Sequence, residues 1–209
     1  MPSHKLRQSA FLLLACACLS LFCACRNIRG QEPEQGALVA AIGVDSDGEK
    51  MQVALEVLVP REGNSAGRRV LQGFGATVPD AYRNALSGFP RAPLFGHCAV
   101  LILGDGLSDE TIGAILAEES LPPEMQAVTA PKAAALLQAD VLSTPAVGYD
   151  LQAILASQRE IHCRIYELAT QPAENRRNAL PRFATAPDGS GKNLIPVIIP
   201  SGSTGGEEG

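Results

Sequence analysis

The sequence is poor in aromatic residues: tryptophan is absent, and Phe, Trp and Tyr together make up 4% of the 209 residues. Sites that stack nucleic-acid bases or grip sugars and peptides depend on large flat side chains, so such sites are disfavoured. Positive charge is also scarce, because the formal net charge is −5. Residues 1–24 hold Lys5 and Arg7 and no acidic residue, so without them the charge is −7. Phosphate binding needs clustered lysine and arginine, and no nucleic-acid partner is expected.

Patterns that indicate bound phosphate or calcium are incomplete. Gly104 and Gly106 lack both the Gly-Lys-Ser/Thr sequence and the third glycine of phosphate-binding loops. Asp45, Asp47 and Glu49 alternate as metal ligands do, but their loop is too short for an EF-hand. We interpret these three as turn residues of a hairpin. The sequence therefore predicts no catalytic residue, no cofactor and no enzyme activity.

Two identical dipeptides, His97-Cys98 and His162-Cys163, raise the question of a zinc site. Adjacent residues on a strand point to opposite faces, so one dipeptide there can hardly supply two ligands to one metal. No metal site is predicted. In an exported protein Cys98 and Cys163 could form a disulfide. However, Cys98 lies in an apolar run typical of a buried strand. We predict two separate buried thiols and a structural His97 held in a hydrogen-bond network.

The N-terminus has the pattern of an export signal. A short basic segment, residues 1–8, precedes an apolar run from Phe11 to Phe22, which is shorter than the roughly 20 residues that span a bilayer. A basic head, an apolar core and small residues before the cut are typical of a cleaved signal. Residues 21–25 (LFCAC) resemble a lipobox, in which Cys25 carries a diacylglyceryl group and becomes the new N-terminus. Cys18 and an uncleaved anchor are the alternatives.

The first half of the body predicts strands followed by a helix. Ala37–Val44 is continuously apolar and Met51–Val59 alternates, and the turn formers between them indicate a hairpin. Residues 60–69 are predicted to form a polar loop, and a third strand is expected at Val70–Ala76. Thr77, with Asp80 three positions on, predicts a capped helix that ends near Gly88.

The second half continues the alternation. Cys98–Leu103 lacks polar alternation, which predicts a central strand buried on both faces. Ser108 predicts the start of a helix. A short strand at Gln126–Thr129 is followed by a helix opened by Pro131, and another helix is predicted at 146–157. A polar linker at 172–192, an extended segment at 194–199 and a disordered tail at 201–209 complete the chain.

These elements predict an α/β (α+β) fold, in which one mixed β-sheet is packed with helices in a single domain. The expected organisation is a signal peptide at 1–24, a lipidated tether at 25–36, the domain at 37–200 and the tail at 201–209. The membrane lipid would be contacted through the diacylglyceryl-cysteine at Cys25.

The order of four segments resembles the Ger(x)C family of spore germination lipoproteins. Leu38–Asp45 (LVAAIGVD), shortly after Cys25, is similar to the family's apolar strand that ends in Gly-aliphatic-Asp. The strand at 52–60 closes in a proline, and residues 75–84 (GATVPDAYRN) resemble the family's strand, Thr and helix. Phe95–Gly104 (FGHCAVLILG) is similar to Phe-Ser-His-x-x-Val-Leu-Ile-Gly, with Gly96 in place of the serine.

The resemblance covers about residues 25–200 and corresponds to the family's N-terminal domain. It implies a membrane-anchored, extracytoplasmic lipoprotein subunit of a spore nutrient germinant receptor, on the outer face of the spore inner membrane. It also implies membrane-embedded receptor subunits as partners. The alternatives are a solute-binding lipoprotein, a lipoprotein hydrolase with a nucleophile and a positioned base, and a truncated non-functional paralogue that lacks the family's C-terminal region.

Overall fold

The computed structural model describes residues 36–60, 66–117, 121–139, 145–158, 163–187 and 194–199, which contain eight strands and six helices. The predicted signal peptide, Cys25, almost all of the tether and the predicted tail lie outside the described residues. The strands are β1 (Gly36–Ser46), β2 (Met51–Pro60), β3 (Ala66–Gly75), β4 (Ala92–Leu94), β5 (Val100–Gly104), β6 (Gln126–Ala130), β7 (Arg182–Pro187) and β8 (Leu194–Ile199). The helices are α1 (Val78–Ala85), α2 (Asp109–Leu116), α3 (Ala133–Leu137), α4 (Val147–Ser157), α5 (Ile165–Ala169) and α6 (Ala173–Ala179).

The strands form one mixed sheet in the order β3-β2-β1-β5-β6-β7-β8, with β4 beside the beginning of β1. Neighbours are antiparallel from β3 to β1 and again between β7 and β8. They are parallel from β1 through β5 and β6 to β7. All five residues of β5 are buried at the middle of the sheet. The predicted fold class, hairpin and central strand are confirmed.

Helices cover both faces of the sheet, and each face has its own apolar core. Residues of α1 and α2 share one core with alternate residues of β1, β2 and β5. The other core joins the opposite side chains of those strands to α3, α4 and the fully buried Phe183 of β7. A bulge between Val39 and Ala41 interrupts the alternation in β1. The sheet is thus the central layer of a three-layer domain.

Local capping signals place the starts of two helices. Thr77 Oγ1 accepts a hydrogen bond from the Asp80 N–H at 3.3 Å, and Ser108 Oγ accepts one from the Thr111 N–H at 3.1 Å. Both predicted caps are confirmed. Pro131 does not open the next helix, because α3 begins at Ala133 with Lys132 as its N-cap.

The predicted polar loop at 60–69 is wrong at both of its ends. Pro60 belongs to β2, and β3 begins at Ala66, which pairs with it. Arg68 is polar yet belongs to the strand, because its guanidinium lies against a buried carboxylate of β2. A charged residue in an edge strand was therefore mistaken for a loop residue.

The predicted linker at 172–192 is also wrong, since it contains α6 and β7. Arg177 of α6 donates to Asp109 of α2 at 2.9 Å, and Phe183 anchors β7 in the core. One large apolar residue among polar neighbours was too weak a signal for a strand. The short β4 and α5 were not predicted either. Within the described ranges, every helix is too short or too polar to cross a membrane.

Candidate functional site

A cleft of about 730 Å³ opens between helices α1 and α2, with the sheet as its floor. The floor consists of apolar side chains from β1, β2 and β5, among them Ile42, Val53 and Leu101. The described residues that line it are Ile42, Val44, Met51, Val53, Ala76, Thr77, Val78, Pro79, Tyr82, Phe95, Leu101, Glu110, Thr111, Ala114, Ile115 and Leu121. This volume and this lining are typical of small-molecule sites, so the cleft is the candidate functional site.

An aromatic pair forms part of the cleft. The rings of Tyr82 and Phe95 lie 6.0 Å apart between centroids and are tilted by 42°, an arrangement that aromatic pairs favour. Partial burial raises the pKa of Tyr82 above its usual value, so the phenol is neutral at physiological pH.

All four segments that carry the family resemblance contribute to this cleft. The first supplies Ile42 and Val44, and the second supplies Val53. The third supplies Thr77 and its neighbours, and the fourth supplies Phe95 and Leu101. Sequence analysis did not predict the cleft, because nothing local in the chain shows that α1 and α2 leave a gap above the sheet.

The prediction that Asp45 is a turn residue is wrong, because its buried carboxylate caps helix α3. Its Oδ1 and Oδ2 each accept a backbone N–H at 2.9 Å, from Ala133 and Ala134 respectively. Asp47 does belong to the turn, where its Oδ1 accepts the N–H groups of Glu49 and Lys50. These bonds lower the pKa of Asp47 below its ordinary value. The alternating acidic residues were interpreted as turn residues, but Asp45 caps a helix and Asp47 lies in the turn.

Glu56, which sequence analysis missed, caps helix α4 in the same way as Asp45 caps helix α3. The side chain is completely buried, and its Oε1 and Oε2 accept the N–H groups of Val147 and Gly148, each at 2.8 Å. Arg68 Nε donates to Oε1 of the same carboxylate at 2.5 Å, and Nη2 of Arg68 donates to the carbonyl of Leu137. A glutamate among apolar residues of a strand was the only available signal. Both buried carboxylates thus accept backbone N–H groups at the starts of helices.

Cys98 and Cys163 are free and buried, as predicted. Burial raises the pKa of Cys98 to about 12 and that of Cys163 to about 11. Since the thiolate is the nucleophile, neither sulfur is activated at physiological pH.

We expect native Cys98 and Cys163 to resist alkylation by iodoacetamide at pH 8 and to react once the chain is unfolded in urea. Peptide mapping by mass spectrometry measures each cysteine separately. Stability should also fall as pH rises from about 9 towards the folded pKa values, about 12 and about 11, because only the unfolded thiols lose protons there. Equal labelling of native and unfolded protein would contradict this expectation.

The predicted role of His97 is not supported, because the residue is exposed beside the turn before β5 rather than held in a buried network. His162 lies outside the described residues. In the part of the chain that the structure describes, no three His, Cys, Asp or Glu residues lie close enough to hold a metal ion.

One pattern of catalytic interest escaped the sequence analysis: residues 63–67 read Gly-Asn-Ser-Ala-Gly. In hydrolases, Gly-x-Ser-x-Gly forms a sharp turn from a strand into a helix. Here Ala66 and Gly67, the last two residues of the pattern, belong to β3, which pairs with β2 in antiparallel fashion. Ser65 itself lies outside the described residues. The context therefore does not match that of a nucleophile elbow.

Comparison with known protein families gives a match over most of the chain. The model of the spore germination protein N-terminal domain matches residues 29–169, about two thirds of the chain. Searches of curated proteins and of solved structures returned no similar protein. The match spans β1 to α5 and includes the whole cleft, whereas α6, β7 and β8 follow it along the chain. The chain therefore belongs to the family of spore germination proteins that share this N-terminal domain, and its role is in spore germination.

Proposed function

We propose that this protein is a membrane-anchored lipoprotein subunit of a spore nutrient germinant receptor, acting with membrane-embedded subunits on the outer face of the spore inner membrane. The family match carries the proposal, because it assigns the chain to germination. The matched region begins at residue 29, four residues after the lipobox cysteine Cys25. A lipid at Cys25 would thus tether this domain to the membrane by a short segment.

A role without catalysis is part of the proposal. Three observations support it. The pKa values of the Cys98 and Cys163 thiols are raised, so neither thiol is a ready nucleophile. The carboxylates of Asp45 and Glu56 are occupied by backbone N–H groups, and the candidate cleft has a mostly apolar lining. A hydrolase would instead need an accessible nucleophile with a base beside it.

The proposed function is tested by deleting the gene in its spore-forming host and following germination on single nutrients. We expect a slower or absent response to at least one nutrient, restored by the wild-type gene. An unchanged response to every nutrient, in a strain without a redundant homologue, would overturn the receptor proposal. A response restored by the wild-type gene would also argue against a non-functional paralogue.

Replacing Cys25 with Ala should abolish labelling of the protein by a fatty-acid probe, because no other thiol would follow the predicted cleavage site closely. Two acyl chains bury enough methylene groups to hold a protein stably at a membrane, at about 0.8 kcal/mol per CH₂. We therefore also expect the Cys25→Ala protein to be lost from the membrane fraction. Cys18→Ala is the matched control and should retain the label. Label persisting in Cys25→Ala would show that the anchor is elsewhere.

A further inference from the structure

We propose that the cleft between α1 and α2 binds one small amphipathic cation, a molecule with a compact hydrocarbon body and a single ammonium group. This inference goes beyond the proposed function, because it requires neither the lipid anchor nor the receptor partners. The size of the cleft, its apolar floor and the charge of its lining support it.

The dimensions of the cleft favour a small molecule over a polypeptide. Its volume of about 730 Å³ lies within the range of roughly 300–1,000 Å³ for ligand pockets. Each wall is a helix of eight residues, which at 1.5 Å per residue is only about 12 Å long. A helix docked from a partner would extend well beyond both walls, whereas a compact ligand would be enclosed by them.

The floor of the cleft favours a hydrocarbon. Ile42, Val53 and Leu101 present aliphatic groups from three neighbouring strands. The two threonine hydroxyl groups that line the cleft are already engaged: Thr77 donates to Asp80 at 2.8 Å, and Thr111 shares a hydrogen bond with Ser108 at 2.8 Å. A ligand that buried polar groups against this floor would lose hydrogen bonds to water without replacing them.

The charge of the lining selects a cation. Of the described residues that line the cleft, Glu110 alone carries a charge. Its side chain is exposed on the first turn of α2, and it forms no ion pair with any described residue. An ammonium group near this carboxylate would be attracted, and a ligand carboxylate would be repelled. The aromatic rings of Tyr82 and Phe95 also line the cleft, and aromatic rings attract cations.

Ligand-observed NMR can test the proposal with n-hexylamine as the probe and the full chain held in lipid nanodiscs. n-Hexanoate and n-hexanol have the same hydrocarbon body with a negative or a neutral end, and empty nanodiscs measure partition into lipid. We expect protonated hexylamine to bind most tightly and hexanoate most weakly. Hexanoate binding as tightly as hexylamine, or no binding of hexylamine beyond that to empty nanodiscs, would overturn the proposal.

Variants locate the site. Ala114 is exposed and lines the cleft, whereas Ala117, also exposed at the end of α2, does not line it. We expect Ala114→Trp to weaken hexylamine binding at least about tenfold and Ala117→Trp to leave it within about twofold. Glu110→Gln should weaken the binding of hexylamine several-fold without affecting the binding of hexanol. This variant tests the proposal even if circular dichroism shows that Ala114→Trp does not fold. Equal binding by the two folded Trp variants, or by Glu110→Gln and wild type, would overturn it.

Discussion

Replacing Glu56 with Ala is expected to destabilise the domain by about 3 kcal/mol, as measured by urea unfolding followed with circular dichroism. The change removes a completely buried carboxylate that accepts the N–H groups of Val147 and Gly148 and pairs with Arg68. Two N–H groups at the start of α4 would lose their acceptor, and the guanidinium would remain half-buried without its partner. Unsatisfied buried groups of this kind cost more than an ordinary hydrogen bond contributes.

Controls separate this effect from a general loss of negative charge. Glu49→Ala removes the same group from an exposed turn and should change stability by no more than about 0.5 kcal/mol. The double variant Glu56→Ala, Arg68→Ala should lose less than the sum of the two single changes, because the arginine is no longer left unpaired. Equal unfolding midpoints for Glu56→Ala and Glu49→Ala would show that the buried carboxylate does not hold α4.

Replacing Gly73 with Ala is the second change from which a large effect is expected, a loss of about 2–3 kcal/mol. Helix α1 lies so close to β3 that a Cβ at position 73 would collide with backbone atoms of Ala81 and Ala85. Backbone cannot give way as a flexible side chain can, so the methyl group would push α1 away from the sheet. Because α1 forms one wall of the cleft, hexylamine binding should weaken in the same variant.

Gly96→Ala is the matched control. A Cβ at position 96 would meet no atom within 4 Å, and the residue is exposed. We expect its unfolding midpoint to equal that of the wild type. If Gly73→Ala unfolded at the same urea concentration as Gly96→Ala, the close packing of α1 on β3 would be refuted.

The parts of the fold that could be predicted are those with a local signal. Apolar runs identified β1, β2 and β5, and the hydroxyl groups of Thr77 and Ser108 marked the starts of α1 and α2. Each signal is contained within a few neighbouring residues. In strand β7 the one large apolar side chain is the buried Phe183, so its local pattern resembled a linker.

The candidate site was beyond prediction for a different reason. The cleft is formed by side chains from three strands and two helices that lie far apart along the chain, and one of its walls, α1, packs closely on β3 at Gly73. The role of Glu56 could not be predicted either, because its partner Val147 lies 91 residues away along the chain. Asp45 was assigned to the turn on the basis of its neighbours, although its partner Ala133 is 88 residues away. Contacts over such separations are set by the tertiary fold and leave no pattern in the sequence nearby.

The same separations determine the order in which the chain can fold. The residues of β1 and β2 are synthesised long before those of α3 and α4. Until α3 and α4 have been synthesised, Asp45 and Glu56 have no helix termini to bind. Burying their carboxylates without those donors would be strongly unfavourable, and contacts between distant parts of a chain form slowly. We therefore expect the two carboxylates to stay in water, and the domain to remain incompletely folded, until residues 147 and 148 have been made. Such a delay suits the export proposed for this chain, which requires an unfolded polypeptide.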